Sequence, residues 1–237
     1  TLQIGGQDQW GNITSGLELI RKKHGNDVEC YGLTMPLITK ADGTKFGKSE
    51  SGTVWLDAKK TSPYEMYQFL VNSEDAKVIE YLKRFTFLDK EEIDRLEECV
   101  AQEPHLREAQ KALAREVVTF LHGSAAYETA LKITNALFKG NIRDLNADEQ
   151  RDALNSMEKR SLQEPMDLAS MLVTTKIASS KREAREWIKS GSIQINGERV
   201  KEETLMIDPS HVLVDDMILV KRGKRNYYVV SLTRETE

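Results

Sequence analysis

The chain has 237 residues, 39% apolar and 30% charged, with 34 Lys and Arg against 38 Asp and Glu and a formal net charge of −4. This is ordinary globular composition for one or two domains, and it excludes pervasive disorder and collagen-like repeats. The longest stretch free of charged side chains, Val117 to Tyr127, is eleven residues, about half of what a bilayer-spanning helix needs, so no membrane partner is expected.

The opening Thr1-Leu2-Gln3-Ile4 carries no basic segment followed by an apolar run, hence no secretory signal. An apolar start without an initiator Met is expected of a chain that begins inside a larger fold. Cys30 and Cys99 belong to no CxxC or Cys/His cluster. That suits a reducing cytoplasmic setting and two small thiols, buried or half-buried, and no protein-bound metal is expected. Charge is uneven: residues 1–60 carry net +1, residues 61–166 net −6 and residues 167–237 net +1.

Residues 1–60 read as part of an α/β unit. Leu2-Gln3-Ile4 is extended, Gly5-Gly6 breaks it, and Ile13, Leu17 and Ile20 recur at helical spacing up to a stop near Gly25. Tyr31 to Ile38 then reads as a strand entering a loop. Between the first strand and the helix, Gln7, Asp8, Gln9 and Asn12 form a polar cluster, at the kind of strand end where ligands of open α/β sheets collect. Asp8 could accept two hydrogen bonds from ribose hydroxyls, or could simply cap the helix. Trp10 is expected in the core.

Ala41-Asp42-Gly43-Thr44-Lys45-Phe46-Gly47-Lys48-Ser49 follows. Two lysines three apart between glycines make a cationic arm suited to polyphosphate, where ammonium groups stabilise charge developing on the phosphates. Gly47-Lys48-Ser49 matches the end of a Walker A loop, but Asp42 stands where its first Gly belongs and the chain after it looks extended, so that motif is rejected. A solvated turn with incidental lysines is the plainer alternative.

From Thr61 to about Met157 the pattern is helical, four to six helices. Ser62-Pro63-Tyr64-Glu65 carries the signals of a capped start, Asp89 with Glu92 repeats them, and Gly123 marks a stop. Residues 161–166 read as a linker. From Asp167 a small α+β module follows: two short helices, a hairpin turning at Asn196-Gly197, and two apolar strands on either side of Lys221-Arg222-Gly223-Lys224-Arg225.

The stretch from Ser179 to Gly191 forms a helix started by a Ser180/Glu183 capping box. Taking Lys181 as zero, Arg185, Lys189 and Arg182 fall at roughly 40°, 80° and 100°, while Ala184, Trp187 and Ile188 occupy a separate arc. A basic arc is commonly just a solvated face. The second basic cluster, Lys221, Arg222, Lys224 and Arg225, points instead to a curved phosphate backbone recognised by shape.

Gln3 to Ile13 together with KFGKS resembles the signatures of bacterial tyrosyl-tRNA synthetases, which are class I aminoacyl-tRNA synthetases. Phe46 and Gly47 replace Met and Ser of the usual KMSKS. The pattern Ser-Lys-Arg-Glu-Ala-Arg, then Gly191 and Ile195-Asn196-Gly197, is similar to the RNA-binding module named after ribosomal protein S-four. The resemblance covers the whole chain and implies a multidomain C-terminal portion. Residues 1–60 would be the remainder of a Rossmann-like α/β catalytic domain, 61–160 a helical anticodon-side domain and 167–237 an RNA-binding domain.

It also implies roles. Lys45 and Lys48 would bind ATP phosphates with Ser49 assisting. Gln3 and Gln9 would hold tyrosine or its adenylate, Gly6 and Asp8 the ribose, and the backbone near Leu37 and Ile38 would face adenine. Gln7 stands where a small residue such as Ser is usual. Ser179, Ser180, Lys181, Arg182, Arg185 and Lys189, with the second basic cluster, would grip the long variable arm of tRNA.

The implied activity is tyrosine–tRNA ligation, with L-tyrosine, tRNA and ATP (with magnesium) as partners and a homodimeric full-length enzyme. No HIGH-like motif occurs, so the 237 residues alone are expected to bind tRNA but not to form tyrosyl-adenylate. Two other readings remain: a stand-alone RNA-binding protein and a tryptophanyl-type relative. The terminal RNA module argues against the second.

Overall fold

A computed structural model describes residues 1–49, 52–138, 140–223 and 226–232, with the backbone alone at Lys48 and Ser49. Strand β1 (Leu2–Gly6) leads through a tight turn at residues 7–9 into helix α1 (Trp10–His24), which returns to strand β2 (Tyr31–Met35), parallel to β1. This is the expected α/β unit. Strand alternation sends Gly5 and Gly32 toward α1, where Ile13 is buried. A Cβ on Gly32 would stand 2.6 Å from Ile13 Cγ2, so the absent side chain is what lets the helix lie this close.

The opposite sheet face is bare. Leu2, Ile4, Tyr31, Leu33 and Met35 are each about half exposed, although parallel sheets are ordinarily covered on both sides. Trp10, expected in the core, is 55% exposed. A two-stranded sheet is too narrow to cover the whole α1 stripe, and it fully buries Ile13 alone.

Two short strands, β3 (Lys48–Ser49) and β4 (Gly52–Thr53), pair antiparallel after the lysine loop. Lys48–Ser49 and Gly52–Thr53 are therefore extended rather than helical, as the rejection of a Walker A loop requires. Among the described residues six helices follow: α2 (Pro63–Val71), α3 (Asp75–Phe85), α4 (Lys90–Gln102), α5 (Glu108–His122), α6 (Ser124–Phe138) and α7 (Ala147–Asn155). The α2 start is the reciprocal cap read from sequence: Glu65 N–H donates to Ser62 Oγ at 3.2 Å, and Ser62 N–H donates to Glu65 Oε2 at 2.8 Å. Asp89 caps α4 through the Glu92 amide at 2.9 Å, and Gly123 ends α5.

The last part holds β5 (Glu158–Leu162), β6 (Met166–Asp167), α8 (Leu168–Thr174), α9 (Lys181–Lys189), β7 (Ile193–Ile195), β8 (Glu198–Arg199), β9 (Met206–Ile207), β10 (Met217–Arg222) and β11 (Asn226–Leu232). The five-stranded sheet has the order β5-β11-β10-β7-β8. The β7–β8 turn falls at Asn196 and Gly197, both left-handed. Residues 161–166, read as a linker, contain the end of β5 and the start of β6. Leu162 explains why: fully buried, it packs into the module core opposite Leu232.

Alternation splits this sheet between two cores. Ile218, Val220, Val230 and Leu232 pack with Leu168, Leu172, Ala184 and Ile188 inside the module. Met217, Leu219 and Val229 point the other way, into the core of the helical region. Tyr227 reinforces that junction, its hydroxyl donating to the Leu137 carbonyl at 3.2 Å and its ring meeting Phe138 edge-on. Arg151 pairs with Asp215 at 2.8 Å across it. No helix among the described residues is long and apolar enough to cross a membrane.

Candidate functional site

The lysine loop is a small hairpin. Thr39 and Lys45 bridge antiparallel, Phe46 N–H donates to the Ile38 carbonyl at 3.0 Å, and Lys40 N–H donates to the Thr44 carbonyl at 2.8 Å. Its turn is closed by Asp42, whose Oδ1 accepts from the Thr44 amide and hydroxyl at 2.9 and 2.7 Å. An Asp-Gly pair at residues 42 and 43 is the local chemistry such a turn needs.

Because the arm is extended, Lys45 and Phe46 diverge. The Phe46 ring enters the helical region, 4.4 Å from the Tyr81 ring centroid, 5.2 Å from Phe69 and 5.3 Å from Phe85. Two further ties hold the arms down. The Tyr81 hydroxyl donates to the Thr39 carbonyl at 2.9 Å, and Ala41 N–H donates to Glu74 Oε2 at 2.6 Å. Burial, with the nearby carboxylates of Glu74, Glu80 and Asp42, pushes the Tyr81 phenol up to about 12, so it stays a donor at neutral pH.

Lys45 reaches the other way, to the carboxyl end of β1. Its Nζ lies 3.2 Å from Asp8 Oδ2. That hydrogen bond and charge hold the Asp8 carboxyl below the ordinary Asp range. The first residue of the site, Gly6, lies beneath: a Cβ there would meet Asp8 Oδ1 at 2.7 Å and Leu37 Cδ2 at 2.9 Å. Gly6, Asp8, Leu37 and Lys45 thus converge at the end of a parallel strand pair.

Asp8 does not cap α1, whose N-terminus has no side-chain cap bond. Gln9 sits beside Gly5, its Oε1 accepting from Asn12 Nδ2 at 2.9 Å. Gln3 is exposed on the α1 side of β1. Ile38 is drawn into the hairpin and packs on the helical core. The side chains of Lys48 and Ser49 lie outside the described residues.

Behind the loop runs an open groove of about 910 Å³, with Phe46, Trp55, Tyr64, Tyr81, Phe138 and Tyr227 among its walls. Lys60 Nζ sits 4.3 Å from the Trp55 ring centroid at its edge. Among the described residues, no group of three or more His, Cys, Asp and Glu side chains gathers as metal ligands.

In the module, Ala184 and Ile188 of α9 are buried and its basic side chains face out. The capping box is one-sided. Glu183 N–H donates to Ser180 Oγ at 3.3 Å, but the Glu183 carboxylate turns to Ser179, accepting from its amide at 2.8 Å and its hydroxyl at 2.6 Å. Arg182, with an 89% exposed side chain, lies 3.3 Å from Glu186. Arg185 and Lys189 both meet Glu203, at 3.3 and 3.2 Å.

Lys221 and Arg222 leave opposite faces of β10. The Arg222 guanidinium stacks over Trp187 of α9 at 4.5 Å, which joins it to the α9 side of the module. Lys221 sits over Tyr227 at 4.8 Å, on the face turned to the helical region, so the two do not form one patch. Lys224 and Arg225 lie outside the described residues.

The ties from Glu74, Tyr81 and Phe69 to the loop, and the place of Glu203, had no local signal in the sequence. Each joins segments more than ten residues apart, and none interrupts a periodic pattern.

The strand-end turn, the lysine hairpin and the terminal α+β module define a class found among known proteins. Residues 1–139 match the family described as tRNA synthetases class I (W and Y), and the chain belongs to that family. Within it the likeness runs to tyrosine: residues 149–230 match the family described as the tyrosine–tRNA ligase SYY-like C-terminal domain.

A protein named tyrosine–tRNA ligase from Staphylococcus carnosus is 52% identical over 97% of this chain and 54% of its own length. One of the same name from Staphylococcus haemolyticus is 52% identical over 97% and 55%. The chain therefore spans about half the length of the curated relatives it matches. A crystal structure of a C-terminally truncated mitochondrial tyrosyl-tRNA synthetase from Coccidioides posadasii aligns over 56% of this chain and 38% of its own, with 39% identity and a TM-score of 0.43.

Proposed function

We propose that this chain serves tyrosine–tRNA ligation: activation of L-tyrosine by ATP, then transfer to the 3′ end of tRNA. The observation that carries this is the meeting of Asp8 and Lys45 at 3.2 Å, which brings the glycine turn and the lysine hairpin to one strand end. In the first step a tyrosine carboxylate oxygen attacks the α-phosphorus and the bond to pyrophosphate breaks. Negative charge grows on the leaving phosphates, where Lys45 and Lys48, with Ser49, stabilise it. Asp8 accepts from the ribose hydroxyls over the bare backbone of Gly6, Leu37 and Ile38 border adenine, and Gln3 and Gln9 hold the amino acid. In the second step a terminal ribose hydroxyl of tRNA attacks the tyrosyl carbonyl and AMP leaves.

Lys45 pairs with Asp8, and ATP binding by this reading exchanges that one pairing for two: ribose takes the place of the ammonium on Asp8, and phosphate takes the place of the carboxylate on Lys45. Magnesium would arrive with ATP. The α9 face, Ser179 to Lys189, with Arg222 beside it, binds the tRNA backbone, its long variable arm by this reading. Lys221 would join only where RNA also reaches the end of β10, and Lys224 and Arg225, outside the described residues, belong to the same proposal. A cytoplasmic homodimer belongs with the same proposal.

The test is tyrosine-dependent ATP–pyrophosphate exchange by the natural polypeptide that carries these residues. Lys45→Ala is expected to lower kcat by roughly a hundredfold or more, and an unaltered rate removes Lys45 from the chemistry. The 237 residues alone are expected to bind tRNA without catalysing exchange. Exchange by them alone overturns that part.

A further inference from the structure

The basic face of α9 is not free to receive phosphate at full strength. Glu203, in the connection between β8 and β9, places Oε2 3.3 Å from Arg185 Nε and Oε1 3.2 Å from Lys189 Nζ. One carboxylate thus spans two cations a helical turn apart. The anion is recessed, with a 27% exposed side chain, while Arg185 and Lys189 are 56% and 72% exposed.

Its backbone is held close by. The Leu205 carbonyl accepts from the Leu168 amide at 2.8 Å, and Leu205 packs on the module core. Met206 and Ile207 pair with Met166 and Asp167. Glu203 is therefore anchored two residues from the core, beneath the surface that the proposed function gives to RNA.

We propose that Glu203 is a built-in competitor for RNA phosphate, setting how tightly and how salt-sensitively the module binds. This rests on the RNA-binding reading of α9. Arg185, Lys189 and Glu203 together carry net +1 rather than +2, and a phosphate approaching either cation also meets the carboxylate. An RNA that touches only this patch gains little. One whose curvature also reaches Arg222, stacked on Trp187, gains from a cation outside the triad. A penalty borne by every ligand but offset only by the right shape favours that shape.

The test compares the 237-residue chain with its Glu203→Gln variant, by fluorescence anisotropy over a KCl series. The probes are a plain RNA duplex and a tRNA with a long variable arm. Glu203→Gln is expected to bind the duplex roughly three- to tenfold tighter at low salt, with a log K against log[salt] slope steeper by about one. The gain for the tRNA is expected to be smaller. In an Arg185→Ala/Lys189→Ala background the same change should give no gain, because the cations it releases are gone.

A Glu203→Gln chain that melts like the parent yet binds no tighter, or more weakly, overturns the proposal: Glu203 then only orients the two cations. If Glu203→Gln does not fold, Glu203→Asp, with its shorter stem, replaces it and should bind the duplex more tightly than the parent. Equal or weaker binding overturns the proposal in the same way. Absence of salt-dependent binding by the parent chain overturns the RNA reading itself, and this inference with it.

Discussion

Asp8 and Lys45 form an ion pair at the proposed site that is not a stability device. Both side chains are well exposed, so the pair contributes little to folding. Its sign with pH is nonetheless defined. With the Asp8 carboxyl lowered, the pair is intact above the ordinary Asp range and breaks as pH falls through the lowered value. A carboxyl-carbon NMR titration should find Asp8 titrating below the exposed, unpaired Asp residues, and a Lys45→Ala chain should bring it back. Tyr81 is the opposite kind of residue. Tyr81→Phe deletes the hydroxyl that holds the Thr39 carbonyl and is expected to cost about 1 kcal/mol, read as faster amide exchange at Phe46. Unchanged exchange there would mean that the aromatic cluster alone holds the hairpin. The Asp-Gly turn and the two lysines were legible in the sequence because their chemistry is local. Tyr81 and Glu74 were not, since they reach the loop from 42 and 33 residues further along the chain.

At the scale of elements, close approach and alternation decide most of what is seen. Helix α1 lies on its sheet because Gly32 has no Cβ. Gly32→Ala is therefore expected to destabilise this unit by about 1–3 kcal/mol, measured by urea unfolding, and a neutral result would show that α1 yields freely. The helix periods, the caps at Ser62 and Asp89 and the stop at Gly123 were readable because each needs only residues within one turn. The capping box at Ser180 was readable only in half. Glu183 can reach either of two preceding amides, and the Ser179 hydroxyl beside one of them draws it there. Along α9, Arg182→Ala/Arg185→Ala is expected to flatten the salt slope of tRNA binding by about one unit for each phosphate no longer neutralised. A slope unchanged in the double variant would take both residues out of the interface.

For the whole molecule, the five-stranded sheet is shared property. Its two faces serve two cores, and Leu219, 3% exposed, belongs to the one contributed mainly by the helices. The helical region and the module should therefore unfold in one calorimetric transition. Leu219→Ala should cost about 2–5 kcal/mol and separate that transition into two. Two transitions in the parent chain would contradict the shared core. This continuity is also why residues 161–166 are no linker in space: a polar-looking stretch containing Pro165 still carries Leu162, and one buried leucine on a paired strand suffices to fix it.

Periodicity, capping and turn chemistry determined from the sequence alone the α/β opening, the helical middle and the terminal α+β module. All of these follow from interactions within a few positions along the chain. Tertiary structure alone decided that Lys45 rests on Asp8, that Phe46 is buried among helices, that Lys221 and Arg222 part company across a strand, and that Glu203 occupies the cations of α9. Such pairings depend on which distant segments pack together, and a side chain keeps the same letter whichever neighbour the fold brings to it.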